Sequence, residues 1–250
     1  MVCMNNPLDF QKSLNSVQTL LSEKCRIIII DSSNTSEILK ESNLMLESGK
    51  NILYKWEEPQ GIYHAMNTGI LLADEGSLVW FLNPGDLVTE ASLVLELTQG
   101  IAESESKWGY GLACYDHSEQ DRGFLFPKSV ENSSTSLFFG ELQISHQSML
   151  VRKEVLLEFG LFDAKFRIAA DLDMQFKLLE KYAPYLLCRH LIVVDTTGLS
   201  HNQQFRTLIE SAKIRFGLNE FSFLQKVIWL RGYVVNRIKV SKRLRLQSGN

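Results

Sequence analysis

The sequence predicts a layered α/β domain, on three observations. Residues 26–31, Arg-Ile-Ile-Ile-Ile-Asp, are a continuous β-branched run closed by Asp, the pattern of a strand buried on both faces in a parallel sheet. Segments of helical spacing flank it on both sides. Strand-like and helix-like stretches then alternate as far as residue 83, as strand–helix–strand units require.

In chain order, Val-Cys-Met-Asn at 2–5 is a very short first strand. Residues 7–23 space Phe10, Leu14, Val17, Leu20 and Leu21 as one helical face. The buried strand 26–31 leads into a Ser/Asn/Thr loop and a helix over 36–47. Strand-like Asn-Ile-Leu-Tyr-Lys-Trp-Glu follows at 51–57, then a helix from about Gly61 with Ile62, Met66 and Ile70 on one face, then a strand at 77–83. A helix opened by Thr-x-x-Ser occupies 89–104. Residues 107–116 and 123–128 read as strands of a less regular sheet, 131–136 as a loop, and 146–153 as a strand. Residues 170–182 form a helix with Leu172, Phe176 and Leu179 on one side. One or two strands fall within 185–197, and two more helical stretches end the chain. No internal repeat or low-complexity segment interrupts this order.

With 250 residues, 45% of them apolar, the chain can build one substantial core, or one domain with a small appendage. A net charge of -3 argues against general nucleic-acid binding. The charge is uneven: residues 221–250 carry seven Lys or Arg and no acid, which leaves -10 for the first 220 residues. The cysteines, Cys3, Cys25, Cys114 and Cys188, form no zinc-like spacing and read as free thiols of a reducing compartment. With no signal-peptide pattern and no run of about 18 apolar residues, the expected location is cytoplasmic.

Ligands of open α/β sheets bind beyond the carboxyl ends of strands. Asp31, the pair Glu57 and Glu58, and Asp86 of Asn83-Pro84-Gly85-Asp86 all fall at such ends. Each also has a plainer reading as a turn or helix-start residue. The stretch Glu57–Ile70 poses the sharper question. Its helix buries one face, yet begins with a crowd of Gly61, Tyr63, His64 and Asn67. Capping is one explanation, and a pocket wall is the other.

Four blocks taken together resemble family 2 glycosyltransferases of the GT-A fold: Ile27–Ser36, Glu57–Ile70, Phe81–Asp86 and Ile144–Leu179. The resemblance spans roughly residues 5–200. It implies a mixed, mainly parallel sheet flanked by helices, with residues 1–205 as the transferase domain and 206–250 as a basic, amphipathic helical tail. It implies an inverting enzyme that moves a sugar from a nucleotide-diphosphate sugar to a hydroxyl of a glycan or lipid-linked acceptor in surface polysaccharide synthesis. Asp171 is the implied catalytic base, with Asp173 as second candidate. Asp86 is the implied ligand of Mn or Mg, with His201 helping to hold the metal or diphosphate. Asp31 is implied to contact base and ribose; Ser33, Glu58, Tyr63, His64, Asn67 and Asn83 are on the donor side, with His146 and Gln147 beside the acceptor. The chain departs from the family pattern at Ser36, Gln60, His64, Thr68 and Thr197.

The basic tail has two readings. It lies on an anionic membrane surface, giving peripheral contact at the inner face, or it packs on the body with its cations solvated. A non-catalytic protein of the same fold, binding a nucleotide sugar or a partner transferase, is the alternative function. A nucleotidyltransferase is disfavoured because no Gly-rich phosphate loop occurs.

Overall fold

The computed structural model describes residues 1–21, 25–115, 123–124, 133–195 and 203–233. Strand β1 (Val2–Cys3) pairs in parallel with β2 (Ile27–Asp31), which pairs in parallel with β3 (Ile52–Trp56). Crossovers through α1 (Pro7–Val17) and α2 (Glu37–Glu47) make these pairings possible. Pro7 opens α1, where its missing N–H costs nothing. Phe10 and Leu14 of α1 meet Ile29, Ile38 and Ile52 in a fully apolar cluster, as the spacing predicted.

Helix α3 (Ile62–Leu72) leads to a second sheet. Its strands are β4 (Leu78–Trp80), β5 (Leu87–Val88), β6 (Trp108–Tyr115), β7 (Gly123–Phe124), β8 (Met149–Arg152) and β9 (Tyr185–Val194). The order is β4-β8-β6-β9-β5, with β7 on β6. Among the described residues, only β6 and β9 run parallel here. The expectation of a mainly parallel sheet thus describes the first three strands, while the second sheet is mostly antiparallel. Apolar runs report burial and carry no information about the direction of a partner strand.

The helices are α4 (Ala91–Glu103), α5 (Ser134–Phe139), α6 (Lys153–Glu158), α7 (Ala170–Lys181), α8 (Gln204–Gly217) and α9 (223–233). Several local expectations change. Thr89 does not cap α4; its hydroxyl donates to the carbonyls of β9, and Glu90 takes the cap position without a side-chain bond. The loop expected at 131–136 gives way at Ser134 to α5, which Ser133 caps by accepting from Ser136 N. His146 and Gln147 sit in a 3-10 turn before β8, not in a strand, because Ser148 folds back to the carbonyl of Ser145. Residues 125–128, expected as strand, lie outside the described residues.

The largest cluster joins α3, α5, α7, β6 and β8 around Tyr63, Met66, Trp108, Phe138 and Met174. Both C-terminal helices contribute to it. Phe221 stacks on Phe138 at 3.9 Å, and Trp229 lies 4.7 Å from the Arg215 guanidinium. Buried Arg215 donates to the carbonyls of Phe138 and Leu137, and burial lowers its pKa to about 10. Phe221, Trp229 and Tyr233 of the tail therefore face inward, while residues 234–250 lie outside the described residues.

Helix α4 shows how tightly the second core is fitted. A Cβ on Gly100 would sit 2.2 Å from the Tyr185 ring. In an unhindered helix, Gly→Ala gains about 1 kcal/mol. Gly100→Ala is expected to destabilise instead, by about 1–3 kcal/mol, because overpacking outweighs propensity; urea denaturation measures the sign directly.

Candidate functional site

Asp171 lies in the first turn of α7, where the helix dipole favours a negative charge. Its Oδ2 is 3.0 Å from His146 Nδ1, and its Oδ1 is 2.9 Å from the Tyr63 hydroxyl. A carboxylate only accepts, so the His146 Nδ1 carries a proton. On its other side, His146 Nε2 faces Asn83 Nδ2 at 3.3 Å, which suits a neutral ring accepting from the amide. Asn83 N in turn donates to Asp86 Oδ2 at 3.3 Å. One hydrogen-bonded series thus runs Asp86–Asn83–His146–Asp171–Tyr63, drawn from β4's exit, the 3-10 turn, α7 and α3. Phe81, Met149, Phe162 and Met174 line a small apolar cavity against His146 and Asp171.

Burial by itself would raise the Asp171 pKa, but hydrogen bonds and charge from His146, with the Tyr63 bond, more than offset it and lower it. Burial opposes the imidazolium of His146, yet Asp171 and the charge of Asp86 raise its pKa overall. Asp86 is 2% exposed and is pushed up to about 6, first by burial; backbone N–H bonds from Asp195 and Asn83 and the His146 charge act against the rise. No Lys or Arg pairs with Asp86 among the described residues.

The turn bearing Asp86 is strapped to α1. Gly85 N donates to Ser13 Oγ and to the Asp9 carbonyl, and Ser13 Oγ donates to the Asn83 carbonyl. Gly85 adopts φ +100°, and a Cβ there would lie 2.8 Å from Asp195 Oδ2. Asp195, at the end of β9, is thereby a second carboxylate beside Asp86. Sequence reasoning passed over it because the two are more than a hundred residues apart.

Asp31 forms a separate group at the neighbouring strand end. It is fully buried, and its oxygens accept from Ser33 N at 2.9 Å and the Tyr54 hydroxyl at 2.8 Å. The Asp31 carboxylate, implied to contact base and ribose, is here a buried strut. What it holds is Ser33, whose carbonyl accepts from Trp56 Nε1 at 2.9 Å. Trp56 is 49% exposed with its indole N–H tied to Ser33, a residue that sequence reading did not single out.

The remaining residues separate clearly. Tyr63, implied to border the donor, is 4% exposed; its single hydroxyl proton is shared between Asp171 and the carbonyl of Ile168 at 2.6 Å. Asn67, also implied for the donor, spends its amide on Phe162, donating to its carbonyl and accepting from its N–H. That clamp holds the turn where Gly160 and Leu161 both have positive φ. His64 Nδ1 lies 3.4 Å from Glu57 Oε1. Glu58 is exposed. Gln147 turns its side chain to Ser145 and its carbonyl to Trp80 Nε1. Asp173 pairs with Lys177 along the helix. His201 and Thr197 lie outside the described residues. Gly61 has φ 108° and ψ 157°, which only glycine adopts readily, so the Gly at the head of α3 answers a backbone demand.

Glu210 of α8 was not anticipated. It is 8% exposed, and its Oε2 accepts from Ile168 N at 2.8 Å and Ala169 N at 3.2 Å. Ala169, the N-cap of α7, has no side-chain cap of its own. Glu210 supplies that acceptor from a different helix.

No family model matches the chain. Glycosyltransferases named for PGL/p-HBAD biosynthesis, from Mycobacterium bovis and Mycobacterium tuberculosis, are 26% identical over 183 residues, covering 72% of this chain and 68% of theirs. S. aureus TarS 1-349 in complex with UDP-GlcNAc superposes with a TM-score of 0.69 at 13% identity, over 93% of this chain and 70% of that one. The mannosyltransferase PcManGT from Pyrobaculum calidifontis, in complex with GDP-Man and Mn2+, gives 0.61 at 11% identity, over 98% and 79%. The chain spans 66% of TarS 1-349 in another structure and 42% of a third TarS chain.

Two measurements test the site's architecture. The His146 pKa is raised above 6.5, so its share of the pairing is in place below that pH and lost as pH rises through the raised value. The Asp171 pKa is lowered below 3.8, so its share is present above that pH and lost only as pH falls through the lowered value. His146→Gln should therefore cost more stability near pH 5.5 than near pH 8.5, read from chemical denaturation at both. Glu210→Ala should cost about 1–3 kcal/mol by leaving two buried N–H groups unmet; Glu210→Gln, which keeps an acceptor oxygen, should recover most of it.

Proposed function

Starting from a chain with the GT-A fold, we propose that it is a glycosyltransferase that moves a sugar from a nucleotide-diphosphate sugar to a hydroxyl of a glycan or lipid-linked acceptor, inverting the anomeric centre. The observation that carries this reading is the hydrogen-bonded series from Asp86 to Asp171. It places a buried acidic group and an oriented, ionised carboxylate at opposite ends of one polar network. The curated relatives named glycosyltransferases, and fold neighbours whose complexes hold UDP-GlcNAc and GDP-Man, support it.

In the proposed reaction the acceptor oxygen forms a bond to the anomeric carbon as the bond from that carbon to the diphosphate oxygen breaks. The hydroxyl proton passes to Asp171, and the bonding electrons leave with the nucleoside diphosphate. A lowered pKa keeps Asp171 ionised throughout the neutral range. Its two oxygens have more lone pairs than the bonds from Tyr63, His146 and the Leu172 N–H use, so it can receive this proton without surrendering its orientation. His146 and Tyr63 position the base. Trp56, fixed by its bond to Ser33, offers its exposed face for stacking a nucleobase.

The residues at Asp86 fit a divalent cation. Asp86 is a desolvated oxygen donor with no Lys or Arg partner among the described residues, and Asp195 brings a second carboxylate close to it. Bound there, Mn or Mg supplies positive charge to the departing diphosphate. PcManGT was crystallised with Mn2+. The second reading is a non-catalytic protein that binds a nucleotide sugar or a partner transferase. The full burial of Asp31, which withdraws an implied donor contact, favours its partner-binding form.

Thermal-shift measurements with UDP, GDP and other nucleoside diphosphates, with and without Mn2+, should show stabilisation by one base class that grows with the cation. Asp171→Asn should lose about 10²–10⁴-fold in turnover of the matching donor while keeping that stabilisation. Undiminished turnover in the variant removes Asp171 as base, and stabilisation with no turnover in either protein supports the non-catalytic reading.

A further inference from the structure

A helix on a globular body normally buries its apolar stripe and turns a polar face to water. Helix α9 buries Trp229 at 7% exposure and packs the partly buried Tyr233 against the same cluster. Its opposite face is also apolar: Phe223 is 75% exposed, Leu224 68% and Ile228 52%, with Val227 beside them. Helix α8 adds to this surface-exposed set. Phe205, Ile209 and Phe216 recur at helical spacing, and Phe205 is 76% exposed. Next to them on α8 are exposed Arg206 and Lys213, and α9 carries exposed Arg231 within its outer face. A helix apolar on all sides is the mark of one with a second apolar neighbour.

We infer that the outward face of α8 and α9 is the docking surface of an anionic lipid bilayer. The cations choose this occupant. Among the described residues from 203 to 233, Lys213, Lys226 and Arg231 reach the surface, Arg206 does so while lying 4.0 Å from Glu210, and Glu220 is the exposed acid; Arg215 and Glu210 are turned inward. A second copy laid on the same face would oppose cation to cation, which disfavours self-association. An anionic lipid surface satisfies both features at once. Phe223, Leu224 and Ile228 enter the boundary between headgroups and acyl chains, while Arg206, Lys213 and Arg231 meet the phosphates. The contact is interfacial; among the described residues no helix is long and apolar enough to cross a membrane. Because Trp229, Arg215 and Glu210 fasten the inner side of these helices to the body, the surface is held in a fixed orientation.

The inference stands independently of sugar transfer, and its test needs no donor or acceptor. The full chain is sedimented with phosphatidylcholine vesicles, with and without phosphatidylglycerol, at low and high salt. Binding should require phosphatidylglycerol and weaken with salt. Leu224→Glu/Ile228→Glu should weaken it by about tenfold or more. Both side chains are largely exposed, so thermal melting should be unchanged, which separates lost docking from lost folding. Wild-type protein left in the supernatant with both vesicle types overturns the inference. So does a double variant that binds as tightly as wild type. A dimer by light scattering that the same substitutions disperse, without vesicle binding, assigns the face to a second copy instead.

Discussion

The Asp171 carboxylate is taken largely out of water, and a desolvated charge is tolerated only where donors replace the lost hydration. Three groups do so: the His146 Nδ1–H, the Tyr63 hydroxyl and the N-terminal turn of α7. Tyr63 is 108 positions away along the chain and His146 is 25 away. Satisfying one carboxylate therefore fixes how α3, the turn before β8 and α7 meet. The same requirement explains why Tyr63 is buried. Its ring fills the core beside Phe162, at 5.4 Å between centroids, while its oxygen reaches the charge. Burial, and then the Asp171 charge, raise the phenol pKa well above its usual value, so the group remains a donor.

A second carboxylate lies on the other side of the same helix start. Glu210 accepts the N–H groups of Ile168 and Ala169, and Tyr63 shares its proton with the Ile168 carbonyl. The segment before Asp171 is thus held from α3 on one flank and α8 on the other. Two acids so close would repel in isolation. Here each is matched to its own donors, and the positive end of the α7 dipole lies between them. The consequence is that α8 belongs to the scaffold of the site, although its sequence reads as the start of an appendage.

Sequence alone was a good guide wherever the controlling interaction is local. The Ile27–Ile30 run, the faces of α1 and α3, and the acidic start of α7 are periodic or terminal signals, and each marks an element of the structure. The long-range partners of polar side chains were not legible in the sequence. Asn67, Tyr63 and Thr89 each serve a partner about a hundred residues away. Glu210 and Asp195 carried no signal because the bonds that place them run through backbone N–H groups, which have no sequence signature: Glu210 accepts from Ile168 and Ala169, and Asp195 N donates to Asp86. The tail combined both cases. Its apolar content was visible, but only packing divides inward Phe221 and Trp229 from outward Phe223 and Leu224.

The site has two parts, and their connection is a matter of backbone rather than of shared ligands. Asp31, Ser33 and Trp56 belong to the ends of β2 and β3; Asp86, Asn83, His146 and Asp171 belong to the second sheet. Among the described residues no side-chain hydrogen bond joins Asp31 to the second set. Helix α1 spans them. It follows β1, which pairs with β2 at Asp31, and Ser13 then pins the turn of Asn83 and Gly85 from the other end. Ser13 is fully buried, so its hydroxyl has no solvent alternative to these backbone partners. A ligand that touched Trp56 and Asp86 together would bridge parts already held in register by this one helix. The relative placement of the two halves is therefore set before anything binds, and binding need not meet the cost of ordering it.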